Sequence, residues 1–262
     1  VCIAMATDLT NLGMPLLWGF VASLALLLGC LLAFTIKLSK ETIAIIMAFG
    51  SGVLVASLAF SLMEEAFEMS QSILPVIIGF VSGGLAYTIA NYYLSKRSPQ
   101  GNIRRRKKSH GPEAGGGKNV PGSAILVGSV IDGIPENMAL GISLAIGGSV
   151  DLVLLTAIFI SNFPEGLSSS EGMKSNGRSR RSILILWLVV IFIGSISSAI
   201  GFSLSSYIEP SMLAIALSFA AGAILVMLGE SMIPEAYEEG GASRVGIAIL
   251  LGFALAFILG NV

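Results

Sequence analysis

Two consecutive apolar segments, 123–146 and 152–173, each carry a Pro-Glu pair near the middle. The first reads Ile131-Asp132-Gly133-Ile134-Pro135-Glu136-Asn137. The second reads Ile160-Ser161-Asn162-Phe163-Pro164-Glu165-Gly166. Aligned on their prolines, they match at Ile131/Ile160, Pro135/Pro164 and Glu136/Glu165. Asp132 and Glu136 are four apart and share one helical face, as do Ser161 and Glu165, with Asn162 one step round. Each proline lacks a backbone donor and frees the carbonyl four residues earlier, Ile131 or Ile160. In a bilayer a freed carbonyl needs a neighbour, a water or a cation. Carboxylates, an amide, a hydroxyl and freed carbonyls at one depth make an oxygen-lined cation site.

The cost of burying these acids favours a function. A carboxylate at mid-membrane costs about 2.5–3.5 kcal/mol on insertion scales, so Asp132, Glu136 and Glu165 together would cost roughly 8–10 kcal/mol if unpaired. No Lys, Arg or His lies in the central part of either segment. Bound protons, a bound cation or a water-filled cavity remain as ways to stabilise them. The structural alternative is a kinked helix with protonated, hydrogen-bonded acids.

The elements that carry these residues follow from composition. The 262 residues are 54% hydrophobic and 12% charged, with positive mean hydropathy. That is too apolar for a soluble domain, and the class is an all-α polytopic membrane protein forming one integral domain over 1–262. A nucleic-acid partner is not expected. Cys2 and Cys30 supply no disulfide framework. No basic leader with a cleavage site is read at the start. Spans of about 20 apolar residues fit a hydrocarbon core about 30 Å thick. Eight are expected, at 14–36, 42–63, 73–94, 123–146, 152–173, 183–207, 212–229 and 245–261.

All 15 Lys and Arg residues fall between spans one and two, three and four, five and six, or seven and eight. With eight spans these connections share one side, which the positive-inside rule makes cytoplasmic, with both termini outside. The plasma membrane is the expected location. The segment 95–121 is a cytoplasmic loop rich in Gly and basic residues, including the run Arg104–Lys108. It acts as a topology determinant, with anionic lipid binding as the alternative. The only histidine, His110, sits there and receives no ligand role.

Residues 52–68 and 222–238 align without a gap at an offset of 170, with Gly52/Gly222, Leu58/Leu228, Ser61/Ser231, Glu65/Glu235, Ala66/Ala236 and Glu68/Glu238 identical. These are spans two and seven, which cross in opposite directions. The reading is an inverted repeat of spans one to three and six to eight around spans four and five, a secondary-transporter architecture. It places Glu64, Glu65 and Glu68 at the outer end of span two. It places Glu230, Glu235, Glu238 and Glu239 toward the inner end of span seven. Acidic mouths raise the local cation concentration; plain solvated helix ends are the alternative. Ser168, Ser169 and Ser170 follow Glu165 toward the cytoplasm and line an exit path or pack helices.

With eight spans, outward termini, a loop after span three and Pro-Glu motifs on spans four and five, the whole chain resembles the ZIP (Zrt/Irt-like) metal transporters. The family's span-four motif usually reads His-Asn-x-Pro-Glu-Gly, and span five carries a similar Pro-Glu-Gly. Asn162-Phe163-Pro164-Glu165-Gly166 is a close match. Asp132-Gly133-Ile134-Pro135-Glu136-Asn137 is looser, with Asp132 at the usual histidine and Gly133 at the asparagine. The resemblance implies metal ligands at Asp132, Glu136, Ser161, Asn162 and Glu165, and acidic positions at entrance and exit at Glu68 and Glu230. It also implies a homodimer and an elevator-like or rocking motion. The sixth span lacks the acidic residue that helps complete a second metal in some members.

The expectation is therefore a divalent-metal uptake transporter for Zn²⁺, Fe²⁺, Mn²⁺ or Cd²⁺, with no cofactor beyond the transported metal. Metal would enter past Glu64 and Glu68, bind between spans four and five, and leave past Ser169 and Glu230. An all-oxygen donor set moves preference toward Mn²⁺, Fe²⁺ or Mg²⁺, while zinc accepts carboxylate. The alternatives are a metal sensor that does not transport and a proton or alkali-cation carrier. A zinc protease needs His-Glu-x-x-His, which a chain with one loop histidine cannot supply.

Overall fold

The computed structural model describes residues 12–36, 38–97 and 122–260. Cys2, Lys37 and the 98–121 part of the basic loop, with His110, lie outside the described residues. Among the described residues all regular structure is helical. The described residues form eight helices: α1 (Gly13–Thr35), α2 (Lys40–Ser70), α3 (Ile73–Arg97), α4 (Gly122–Gly147), α5 (Leu152–Ser175), α6 (Arg180–Leu204), α7 (Pro210–Gly240) and α8 (Ala242–Gly260). Seven are long and apolar enough to cross a membrane. The remaining one, α4, has 26 residues, long enough to span, and carries Asp132, Glu136 and Asn137 near its middle. The chain is a polytopic helical membrane protein.

Local chemistry starts the helices where hydropathy alone gives no edge. Ser39 accepts from the Thr42 amide ahead of α2, Ser179 from the Ser182 amide ahead of α6, and Asp151 from the Val153 and Leu154 amides ahead of α5. These bonds satisfy amides that have no partner within the helix. Pro210 opens α7, where its missing donor costs nothing. The turn between α4 and α5 passes through Gly148 at φ +68°, a left-handed conformation that favours glycine.

Two helices are longer than the expected spans. Helix α2 continues through a π-helical stretch, Leu58–Met63, into Glu64–Ser70. Helix α7 continues through Leu228–Met232 into Ile233–Gly240. The extensions carry Glu64, Glu65 and Glu68, or Glu235, Glu238 and Glu239. Hydropathy therefore ends the span while the hydrogen-bonded helix goes on. The two π stretches both begin at the paired positions Leu58 and Leu228, 170 apart.

The helices form two groups. In one, α3 packs along α7, α8 along α2, and α2 against the end of α7. In the other, α1 packs against α5 and α6, and α4 against α6. The groups meet mainly where α2 touches α5 and α4 touches α7. Exchange of α1 with α6, α2 with α7, α3 with α8 and α4 with α5 maps these contacts onto one another. Because α4 and α5 are joined by a short turn and run oppositely, the relation is an inversion, as the offset of 170 implies.

Glycine crossings set the register. A Cβ on Gly52 would collide with the Ile249 carbonyl, and one on Gly252 with the Phe49 carbonyl. The mirrored pair is Gly222 on the Phe80 carbonyl and Gly83 on the Phe219 carbonyl. In the other group, Gly29 and Gly166 meet the Phe163 and Leu26 carbonyls, mirrored by Gly201 and Gly141 on those of Met138 and Ser198. This last set relates α4 to α5 by 25 residues (Gly141 to Gly166), whereas the proline match relates them by 29. The packing register therefore differs from the motif register by one helical turn.

Gly141→Val and Gly222→Val force backbone against backbone. Overpacking of this kind costs about 1–3 kcal/mol or more. Both variants should melt several degrees lower in detergent. Gly172→Ala, where a Cβ meets open space, should match the parent in the same thermal scan.

Candidate functional site

The candidate site lies where α4 and α5 of one group face α3 and α7 of the other. Glu136 is 2% exposed, Asn137 1%, Ser161 2% and Asn162 4%. Asp132 and Glu165 are partly buried. The structure brings the three central acids together: Glu136 lies within electrostatic range of Glu165 and Asp132, and Glu165 within range of Asp132 and Glu235. Every described Lys or Arg whose side chain is placed sits at a helix end. Lys40 pairs with Glu239 at 3.0 Å, Arg244 pairs with Glu41, and Lys174 donates to the Ala33 carbonyl.

The acids are staggered along the membrane axis, where one depth was expected. Ser129 on α4 donates to Glu165 at 2.7 Å, so Glu165 reaches the level of Ser129. Ser129 lies seven residues before Glu136, about 10 Å along a helix that rises 1.5 Å per residue. Glu165, bonded to Ser129, also lies within electrostatic range of Asp132 and of Glu235 near the basic end. The packing register explains this arrangement, because a shift of one turn between α4 and α5 moves Glu165 away from its motif counterpart Glu136. Among the described residues, no three His, Cys, Asp or Glu side chains converge closely enough to hold a metal ion.

Hydroxyls hold two of the acids. Tyr87 of α3 donates to Asp132 at 2.6 Å across the boundary between the groups. Ser129 holds Glu165 within its own group. Neither Tyr87 nor Ser129 was singled out from the sequence. Ser129 was legible in principle, since it is three residues before Asp132 and seven before Glu136 on one helical face. Tyr87 had no such signal, because only the packing of α3 brings it near.

Ser161 donates to the Ile158 carbonyl of its own helix at 3.0 Å, and Asn162 donates to the Ala22 carbonyl of α1 at 3.2 Å. Asn162 thus ties α5 to α1, whereas Ser161 bonds within its own helix. Asn137, also not anticipated, takes the equivalent place on α4, 25 residues before Asn162. Its amide donates to the Gly133 carbonyl at 2.9 Å and its carbonyl accepts from Ser23 at 3.4 Å. A narrow, mainly apolar cleft is lined by Leu26, Val130, Ile134, Val190 and Ile193 together with Ser23, Ser129, Gly133, Asn137, Asn162 and Gly194, and by none of the three acids.

The candidate path residues occupy the two ends. Glu64 and Glu68 are exposed on the last turns of α2. Glu230 is exposed in the π stretch of α7 and accepts from Thr88 at 3.0 Å and Asn91 at 2.7 Å. Ser169 is partly buried on α5. Ser170 is buried and accepts from the Trp187 indole at 2.7 Å.

No family model matches the chain. It is 26% identical over 259 residues to zinc transporter ZIPB of Bordetella bronchiseptica, a match covering 95% of this chain and 81% of that protein. It is 24% identical over 230 residues to an Arabidopsis thaliana protein named as a candidate zinc transporter, covering 87% of this chain and 35% of that protein. At this modest identity the two relatives support membership of the ZIP family.

Tyr87→Phe and Ser129→Ala each strip one donor from a carboxylate that has little water to replace it. Such a loss costs about 1–3 kcal/mol. Each variant should lower the melting temperature in detergent. The pair should depart from simple additivity, because Asp132 and Glu165 lie within electrostatic range of each other. Unchanged melting in both would show that the hydroxyls do not support Asp132 and Glu165.

Proposed function

We propose that this ZIP family member is a divalent-metal transporter, with Asp132, Glu136 and Glu165 as the mid-membrane site. One observation carries the reading: three carboxylates share a buried region of a membrane bundle with no Lys, Arg or His side chain placed among them. A dication neutralises two of the three charges, and a shared proton accounts for the third. The zinc named for both relatives makes Zn²⁺ the first candidate substrate. Fe²⁺, Mn²⁺ and Cd²⁺ follow, because carboxylate donors serve them as well.

The staggered acids make a descending series of binding steps. Metal drawn in past Glu64 and Glu68 is bound by Glu136 and Asp132, displacing the Tyr87 hydroxyl. It passes to Glu165, where the Ser129 hydroxyl yields, and then toward Glu235 and Ser169. Glu230, held by Thr88 and Asn91, adds a carboxylate near the basic end. The positive-inside rule makes that end cytoplasmic, so the net direction is uptake across the plasma membrane.

The test is metal uptake into proteoliposomes, with Zn²⁺, Mn²⁺, Fe²⁺ and Cd²⁺ compared. Glu136→Ala and Glu165→Ala should each reduce uptake at least tenfold while remaining monodisperse. Metal binding without uptake would favour a sensor, and unimpaired variants would move the site elsewhere. Protons compete with a dication for the same oxygens, so uptake should fall as the pH drops from about 8 to about 5. A flat rate over that interval would exclude carboxylates as the rate-setting ligands.

A further inference from the structure

Among the described residues, every glycine whose added Cβ would collide with a carbonyl of a partner helix joins helices of the same group. Across the boundary the fit is looser. A Cβ on Gly50 of α2 would stand 3.1 Å from the Ser161 backbone of α5, a distance that small adjustments accommodate. Each group is therefore locked by backbone contact, while the surface between the groups is not. A polar side chain that bridges this surface contributes directly to how the two groups sit.

Tyr87 is such a bridge. It is 6% exposed, on a helix that packs chiefly along α7 and only lightly on α4, yet its hydroxyl donates to Asp132 of α4 at 2.6 Å. The Ser129–Glu165 bond differs in kind, because α4 and α5 belong to one group and carry both partners together. The mirrored positions of Tyr87 and Asp132 are Ala256 and Ala157, both buried, whose side chains form no hydrogen bond. The contact thus belongs to only one of the two arrangements that an inverted repeat permits.

We propose that Tyr87 is a positioning residue that couples metal loading to release of α4 from α3. The Tyr87 proton and a dication compete for the lone pairs of the Asp132 carboxylate, and the positive charge repels the proton. Loading therefore breaks the bridge between the groups, and return of the hydroxyl helps to expel the metal. The inference rests on the transport reading, because only a carrier whose groups move against each other needs loading and release to be one event. Coupling of this kind is reciprocal: if metal weakens the bond, the bond weakens metal binding.

The test is Zn²⁺ binding in detergent, measured by isothermal titration calorimetry. Tyr87→Phe should bind about tenfold more tightly than the parent, the scale of one hydrogen bond to a charged group. In proteoliposomes its KM and kcat for Zn²⁺ uptake should fall together, since tightly held metal leaves slowly. A tyrosine that merely orients a ligand from outside the coordination shell gives the opposite result, affinity weakened about 10- to 100-fold. The parent provides a measurement that does not depend on the variant folding. Saturating Zn²⁺ should change the near-ultraviolet absorption of its five tyrosines, and Tyr87→Phe should lack that change.

Weaker or unchanged binding in Tyr87→Phe, or a saturated parent without a tyrosine signal, would overturn the proposal. Uptake by the parent is the separate arm. Tighter binding and the tyrosine signal without uptake of any metal support the exchange at Asp132 and remove the transport reading. Uptake without tighter binding removes the exchange alone. A parent that binds neither Zn²⁺, Mn²⁺ nor Cd²⁺ removes both.

Discussion

Close approach of helix backbones at glycine is the constraint on which the rest of this structure depends. Lipid is as apolar as a leucine side chain, so helices in a bilayer gain little by hiding apolar faces from it. Association relies on van der Waals contact, and that contact is greatest where no Cβ intervenes. Four helix pairs, α2 with α8, α3 with α7, α1 with α5 and α4 with α6, each place glycines against the carbonyls of the partner. These crossings tolerate no sliding by a residue. They fix the depth of every polar group on the same helices, including the three central carboxylates.

The fold repeats, but its polar chemistry does not. Tyr87–Asp132, Ser129–Glu165 and Thr88–Glu230 all lie in the half toward the basic end, and alanine, leucine or phenylalanine occupies their counterparts. At the positions equivalent to Glu230 and Thr88, Phe60 of α2 packs against Phe257, and also against Phe253, of α8.

The acids also explain the polarity of α4. A helix surrounded by other helices can carry Asp132, Glu136 and Asn137 because its neighbours supply donors: Tyr87 from α3 for Asp132 and Ser23 from α1 for Asn137. The placement of α4 inside the bundle and the presence of a site on it are one physical fact, since a polar helix is excluded from lipid and must be enclosed.

The sequence by itself determined the class, the span order, the pairing of 52–68 with 222–238, and the gathering of Asp132, Glu136 and Glu165. Apolar length, basic residues in alternate connections and carboxylates without neutralising cations are local properties, readable one segment at a time. The tertiary structure decided the depth of each acid, the donors Tyr87 and Ser129, the role of Asn137 beside Asn162, and the continuation of α2 and α7 through π stretches into acidic tips. The one-turn difference between motif and packing registers shows why. Matching prolines compares two helices as strings, whereas Gly141 and Gly166 are seated by α6 and α1, helices that the motif does not include. Depth in the membrane is set by which neighbours touch, and no segment carries that information alone.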